Sequence, residues 1–157
     1  MRKWALIALG ALSLVLTSCM GVKPVVSDYE IFYERSKGIL ESELGNGRVL
    51  FFNGGYFITT YTPLKATMIN LKLNGKNVPT TQLGEFFVLR LEYGEYEFET
   101  EVRDVVWKRS KYQIEITPDT KLVKLMPSGI GRNVKVVKRL PDYFHNYRYV
   151  EIPSKKK

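Results

Sequence analysis

His145 is the one histidine of the 157-residue chain, and it stands in the run Pro141-Asp142-Tyr143-Phe144-His145-Asn146-Tyr147-Arg148-Tyr149. An imidazole works as a general base only where the fold sets a nucleophile and an orienting acid beside it. Asp142 and Ser128 are near in sequence, but Pro127-Ser128-Gly129-Ile130-Gly131 lacks the Gly-x-Ser-x-Gly elbow that exposes a catalytic serine. The expectation is a packed or surface histidine. Gly129-x-Gly131 is also too short for a phosphate or dinucleotide loop. What the run does offer is binding chemistry, since tyrosine and arginine are enriched at interfaces and stack on rings and cations. Tyr143, Phe144, Tyr147, Arg148 and Tyr149, with the terminal Lys155, Lys156 and Lys157, therefore form the candidate partner-binding set. Its alternative is a C-terminal segment folded back to pack on the domain.

Glu95, Glu97, Glu99 and Glu101 alternate along one expected strand, so their carboxylates share a face at spacings of about 6.6 to 6.8 Å. That ladder converges poorly on a hard cation, which takes several oxygens at about 2.3 to 2.6 Å. Paired hydrolytic carboxylates would face each other across a cleft at about 5 to 9.5 Å, and no cleft is legible. Neutralisation by lysines of neighbouring strands is expected instead, with Lys111, Lys121 and Lys124 as the partners. One cysteine excludes an intrachain disulfide framework, and one histidine leaves no His/Cys set for zinc. No metal and no cofactor is expected.

The single cysteine has its own chemistry. Arg2 and Lys3 precede an apolar run over residues 4–16, the layout of a secretory signal. About 13 residues make a helix of roughly 20 Å, short of a hydrocarbon core about 30 Å thick, so a permanent span is disfavoured. The run closes in Leu16-Thr17-Ser18-Cys19. This resembles the lipobox of bacterial lipoproteins, in which the thiolate forms a thioether to a diacylglyceryl group and cleavage leaves the cysteine first. That resemblance implies lipidation of Cys19, by acyl groups such as palmitate. At about 0.8 kcal/mol per buried methylene, two or three chains hold a domain at a bilayer almost irreversibly. Met20 follows where an aspartate resembles an inner-membrane retention signal, so the outer membrane is favoured if the cell is Gram-negative. Without Arg2 and Lys3 the 24 basic residues become 22, against 16 acidic ones, a net charge of +6 over 139 residues. Export makes nucleic acid an implausible partner; anionic lipid or an acidic envelope polymer suits the basic tail.

The elements that would position these groups are mostly strands. Residues 1–18 read as signal peptide, 19–27 as a lipidated tether, and 28–46 as a short helix or a linker strand. Ser27 and Glu30 have capping-box spacing, while Tyr29, Ile31 and Tyr33 alternate as a strand would. From residue 47 the period becomes two and turn residues recur every 8 to 12 positions, which predicts a small all-β antiparallel sandwich over 47–140. Strands are expected at 48–53, 56–61, 68–74, 85–91, 95–103, 111–117, 121–126, 133–140 and 147–152. Asn74-Gly75 predicts a type I′ hairpin turn, and Pro118-Asp119 a turn that pairs 111–117 with 121–126. Residues 141–157 remain as an aromatic and basic C-terminal segment.

Three stretches together resemble a recurring bacterial module: Ile69-Asn70-Leu71-Lys72-Leu73-Asn74-Gly75-Lys76, then Gly84-Glu85-Phe86-Phe87-Val88, then Tyr93-Gly94-Glu95-Tyr96. They are similar to PEGA-type domains and related uncharacterised lipoprotein domains, over roughly residues 47–126. The proline usual before the glycine of the last motif is absent here. The resemblance implies an Ig-like or PEGA-like sandwich and transfers no catalytic residue. The expected role is a non-enzymatic accessory or interaction module, lipid-anchored in the cell envelope, whose partner is another envelope protein. An envelope hydrolase or cell-wall-modifying enzyme, and a structural tether to anionic envelope polymer, are the alternatives.

Overall fold

Nine strands build two packed sheets in the computed structural model, which describes residues 22–32, 39, 41–54, 68–103, 107–127 and 131–150. In chain order they are β1 Arg48–Asn53, β2 Ile69–Leu73, β3 Lys76–Asn77, β4 Glu85–Arg90, β5 Gly94–Arg103, β6 Trp107–Ile116, β7 Leu122–Leu125, β8 Val134–Val137 and β9 Arg148–Tyr149. One sheet has the order β8-β7-β1-β4-β9, the other β3-β2-β5-β6. The all-β sandwich is as expected. The strand expected at 56–61, and the hairpin leading into it, lie outside the described residues.

The alternating strands supply the core between the sheets. Val49, Phe51, Phe87, Leu89, Val123 and Leu125 of the first sheet meet Ile69, Leu71, Leu73, Phe98, Val102 and Ile116 of the second. Phe51 stacks on Phe87 at 5.0 Å within its sheet and approaches Phe98 of the other sheet at 6.3 Å. Each fully buried phenyl ring contributes about 1.5 to 3 kcal/mol of transfer free energy. Two Asn-Gly turns set register. Asn74-Gly75, at φ 49° and 77°, reverses β2 into β3 as predicted. Asn46-Gly47, at φ 49° and 86°, closes a second two-residue turn in which Gly45 and Arg48 exchange backbone hydrogen bonds of 2.8 and 2.9 Å. A Cβ on Gly47 would lie 2.5 Å from the Leu91 carbonyl oxygen, so that turn requires glycine.

Several expectations are corrected. The first sheet is mixed rather than antiparallel, because β1 pairs with β7 and β4 with β9 in parallel. The Pro118-Asp119 turn does not join paired strands: β6 and β7 belong to different sheets, and the turn carries the chain between layers. Thr120 N–H donates to Thr117 O within the turn, and Asn46 N–H, from the turn ahead of β1, donates to Pro118 O. Over 28–46 the described residues form no α-helix. Ile31 makes a β-bridge to Leu89, and Glu41–Glu43 is one 3-10 turn. Ser27 Oγ accepts the N–H of Tyr29, one residue short of a capping box. Tyr29 and Ile31 both pack against the inter-sheet core, which the strand-like alternation allows and a helix would not.

The 19–27 stretch is not a free tether from Val22 onward. Asn70 Nδ2 donates to Lys23 O at 2.9 Å, Val25 N–H to Thr80 Oγ1 at 2.8 Å, and Asp28 N–H to Asn77 O at 2.8 Å. The other boundary moves too. Leu50, Phe52, Phe86, Val88 and Leu122, on the far face of the first sheet, form a second apolar layer with Leu44. Phe32, Ile39, Val137, Leu140, Phe144, Tyr147 and Tyr149 pack over it, so residues 141–150 belong to the sandwich rather than trailing from it. Tyr149 Oη donates to Phe32 O at 2.9 Å and ties the two covering segments together.

Candidate functional site

The predicted partner-binding set is divided by the fold. Pro141 O accepts Phe144 N–H at 2.9 Å, and the 3-10 turn Phe144–Asn146 then lays alternate aromatics on the second layer. Phe144 lies 5.0 Å from Phe86 and 6.1 Å from Phe52; Tyr149 lies 4.4 Å from Phe86; Tyr147 lies 6.0 Å from Phe52. These three rings hold the segment down. Arg148 is also engaged: its Nη2 donates to Glu85 Oε1 at 2.9 Å, where the carboxylate is 4% exposed and its Oε2 accepts Gln82 N–H. Tyr143 remains outward at 54% exposure, stacked 6.1 Å from Tyr147. His145 is exposed on the same turn. Lys155, Lys156, Lys157, Cys19 and Ser128 lie outside the described residues.

Tyr143 and Tyr147 line a shallow cavity of about 170 Å³ with Phe52, Lys124, Arg139 and Pro141. Burial, with the neighbouring Tyr143 hydroxyl adding to it, pushes the Tyr147 phenol up to about 12. The Tyr147 phenol therefore stays a neutral hydrogen-bonding group at physiological pH, in a cavity that Lys124 and Arg139 also line. The pairing of aromatic faces with guanidinium and ammonium groups suits a ring-bearing or anionic surface.

A larger open cleft of about 580 Å³ lies at the other end of the sandwich, lined by Tyr29, Glu30, Phe32, Asn46, Arg90, Leu91, Glu92 and Tyr93. Arg48 and Arg90 stand opposite each other across β1 and β4, and their guanidinium carbons lie 6.0 and 5.6 Å from the Phe32 ring. Arg48 Nε is buried without a hydrogen-bond partner. The Tyr29 phenol is raised by burial and then by the nearby Tyr96 and Asp28. Charges of both signs line this cleft, and among the described residues no serine, cysteine or histidine does. Sequence reasoning missed the arginine pair, because its two members are 42 positions apart and meet only through strand register.

β6 neutralises Glu97, Glu99 and Glu101 of the glutamate ladder, while Glu95 stands opposite Glu115. Arg109 Nη2 reaches Glu101 Oε1 at 2.8 Å, and Lys111 Nζ reaches Glu97 at 2.9 Å and Glu99 at 3.5 Å. The hydrogen bond to Glu101 raises Arg109 further, and that to Glu97 raises Lys111. Lys111 is the partner expected; Lys121 and Lys124 are not, since β7 lies in the other sheet. Arg109 was missed, although it continues the outward alternation of Lys111 and Gln113. Among the described residues no group of three or more His, Cys, Asp or Glu could hold a metal ion. Compared with known protein families, curated proteins and solved structures, the chain matches none.

Proposed function

We propose that the chain is a lipid-anchored cell-envelope module of PEGA-like type that acts by binding rather than by catalysis, displaying its sandwich at a membrane surface to an envelope partner. The observation that carries this reading is Leu16-Thr17-Ser18-Cys19 after a basic pair and a short apolar run, placed directly ahead of a folded domain. The acyl chains would raise the effective concentration of the domain at the membrane without any new contact. Among the described residues Glu85 is the buried carboxylate, and Arg148 with the Gln82 N–H occupies it, which favours a structural role over proton transfer. The exposed Tyr143, the Lys124 and Arg139 beside it, and the terminal lysines supply the contact chemistry. No helix among the described residues is long and apolar enough to cross a membrane.

Because Phe144, Tyr147 and Tyr149 help to build the second apolar layer, the test uses point changes rather than truncation. In-cell crosslinking and mass spectrometry of captured full-length protein should return one specific envelope protein. That capture should fall in Tyr143→Ala and in the triple lysine-to-alanine change at 155–157. Capture of the same protein, undiminished, by both variants would move the binding surface elsewhere. Recovery of no protein but retention on anionic wall polymer that high salt releases would replace the reading with a polymer tether.

A further inference from the structure

We propose that one end of the sandwich, where Ile69, Val102 and Lys108 stand level across the second sheet, lies directly on the bilayer, and that the surface it meets is anionic phospholipid. The inference rests on the anchoring through Cys19 proposed above, and adds an orientation and a contact face to it.

Chain length limits how far the domain can stand off. Val22 is 5% exposed, and its neighbour Lys23 is tied to β2 by the Asn70 amide. Three Cα–Cα steps, across Met20 and Gly21, separate Val22 from Cys19, a reach of at most about 11 Å at about 3.6 Å each. A 139-residue domain has a radius of gyration of about 14 Å, so this reach is shorter than the domain is wide. Part of it is also spent crossing the headgroup layer, about 5 to 7 Å deep on each side of the hydrocarbon. The anchored domain cannot tumble above the membrane; whichever end carries Val22 must touch it.

Hydrogen bonding identifies that end. Asp28 pairs with Asn77, Val25 with Thr80, and Lys23 O with Asn70. Followed from residue 28 back to 22, the chain runs from the Leu73 end of β2 towards its Ile69 end. Register then extends the level across the sheet: Ile69 pairs with Val102 and Val102 with Lys108, and Arg103 with Trp107 lies one step beyond. The Gly131-Arg132-Asn133 stretch joins the same end, because Lys108 Nζ donates to Gly131 O at 2.7 Å.

Its chemistry fits a lipid headgroup layer. Trp107 is 52% exposed, with the Arg103 guanidinium carbon 4.9 Å from its ring. Indole rings settle at the membrane interface, and lysine and arginine extend charged tips to phosphate along apolar stems. Lys23, whose carbonyl meets Asn70, and Arg132, next to Gly131 and with its guanidinium carbon 5.2 Å from the Tyr112 ring, are exposed as well. Glu101, the nearest described acid on this side of the sheet, is already paired to Arg109. The opposite end instead presents the Asn46-Gly47 and Asn74-Gly75 turns with Glu92, Tyr93 and Asp119, and Tyr93 there is 55% exposed.

The processed chain gives its own probe. Of the two tryptophans, Trp4 precedes Cys19, so Trp107 is the single one after cleavage. Lipid-modified protein purified from membranes is reconstituted into phosphatidylglycerol and phosphatidylethanolamine vesicles with brominated acyl chains, and tryptophan emission is read. Trp107 should be quenched and blue-shifted; in the double variant Trp107→Phe, Tyr93→Trp the emission should be unquenched. Lys23→Glu with Arg132→Glu should reduce the quenching of Trp107, as should replacement of the anionic lipid by phosphatidylcholine. Lipid on Cys19 with an unquenched Trp107, or stronger quenching from position 93, would overturn the docking alone. Equal quenching in phosphatidylcholine would overturn the choice of anionic lipid. A membrane-free protein without lipid on Cys19 would overturn the anchoring and the docking with it.

Discussion

Phe51 and Phe52 are neighbours in β1 and are both buried, on opposite faces of one sheet, whereas Phe98 of β5 is buried between Glu97 and Glu99, which stay partly in water. The two sheets thus use their second faces differently. The sheet containing β1 and β4 is covered on both sides, by the other sheet and by two covering segments from the ends of the described chain. The sheet containing β5 and β6 keeps one face wet and neutralises it with cross-strand ion pairs. The lesson is a division of labour: the doubly covered sheet holds the chain together, and the half-wet sheet is free to carry surface chemistry at its ends.

The largest way to break this comparison is Phe51→Ala, which empties the centre of the inter-sheet core. It should cost about 3 to 5 kcal/mol, read as a lowered urea midpoint at unchanged slope. A loss below 1 kcal/mol would mean that the two sheets do not share that core.

Phe144→Ala tests the outer layer and should cost less, about 1 to 2 kcal/mol, because that ring is only half-buried. Native-state hydrogen exchange should then speed up at residues 148–150 while 98–102 keep their protection. Uniform acceleration would show that the outer layer and the core open together.

Tyr147 sharpens the same contrast through pH. Its phenol, held near 12 by burial, binds a proton in the folded state that the unfolded chain loses near 10. Folded protein therefore carries more protons between about pH 10 and 12, and stability falls as pH rises through that window. Tyr147→Phe should flatten that alkaline limb relative to the parent; an identical limb would contradict it.

The smallest effect belongs to the wet face. Lys111 and Arg109 are solvent-exposed, and such pairs are entropically costly and screened by salt. Lys111→Ala should leave the midpoint of unfolding unchanged within measurement error. A clear drop would show that the ladder contributes to the fold rather than to the surface.

Much of this division is legible in the residues. Strict alternation over 94–103 predicts a sheet wet on one side, and the unbroken apolar runs of β1 and β4 are what a sheet buried on both faces requires. The parallel pairings were not legible, since periodicity reports which face a residue occupies and not which strand lies beside it. Phe144, Tyr147 and Tyr149 show the same gap at the candidate site. Their composition suits an interface and an interior equally, and only the apolar outer face of the first sheet decides for packing. Asn46-Gly47 did carry a signal, the same dipeptide as Asn74-Gly75, but it sits beside residues that also fit the end of a helix.

The most direct test of the account is the intact mass of the native protein extracted from cell membranes. That chain should start at Cys19, lack residues 1–18, and carry the added mass of a diacylglyceryl group with further acylation. A chain recovered from the soluble fraction with residues 1–18 attached, or cleaved elsewhere with an unmodified Cys19, would contradict it.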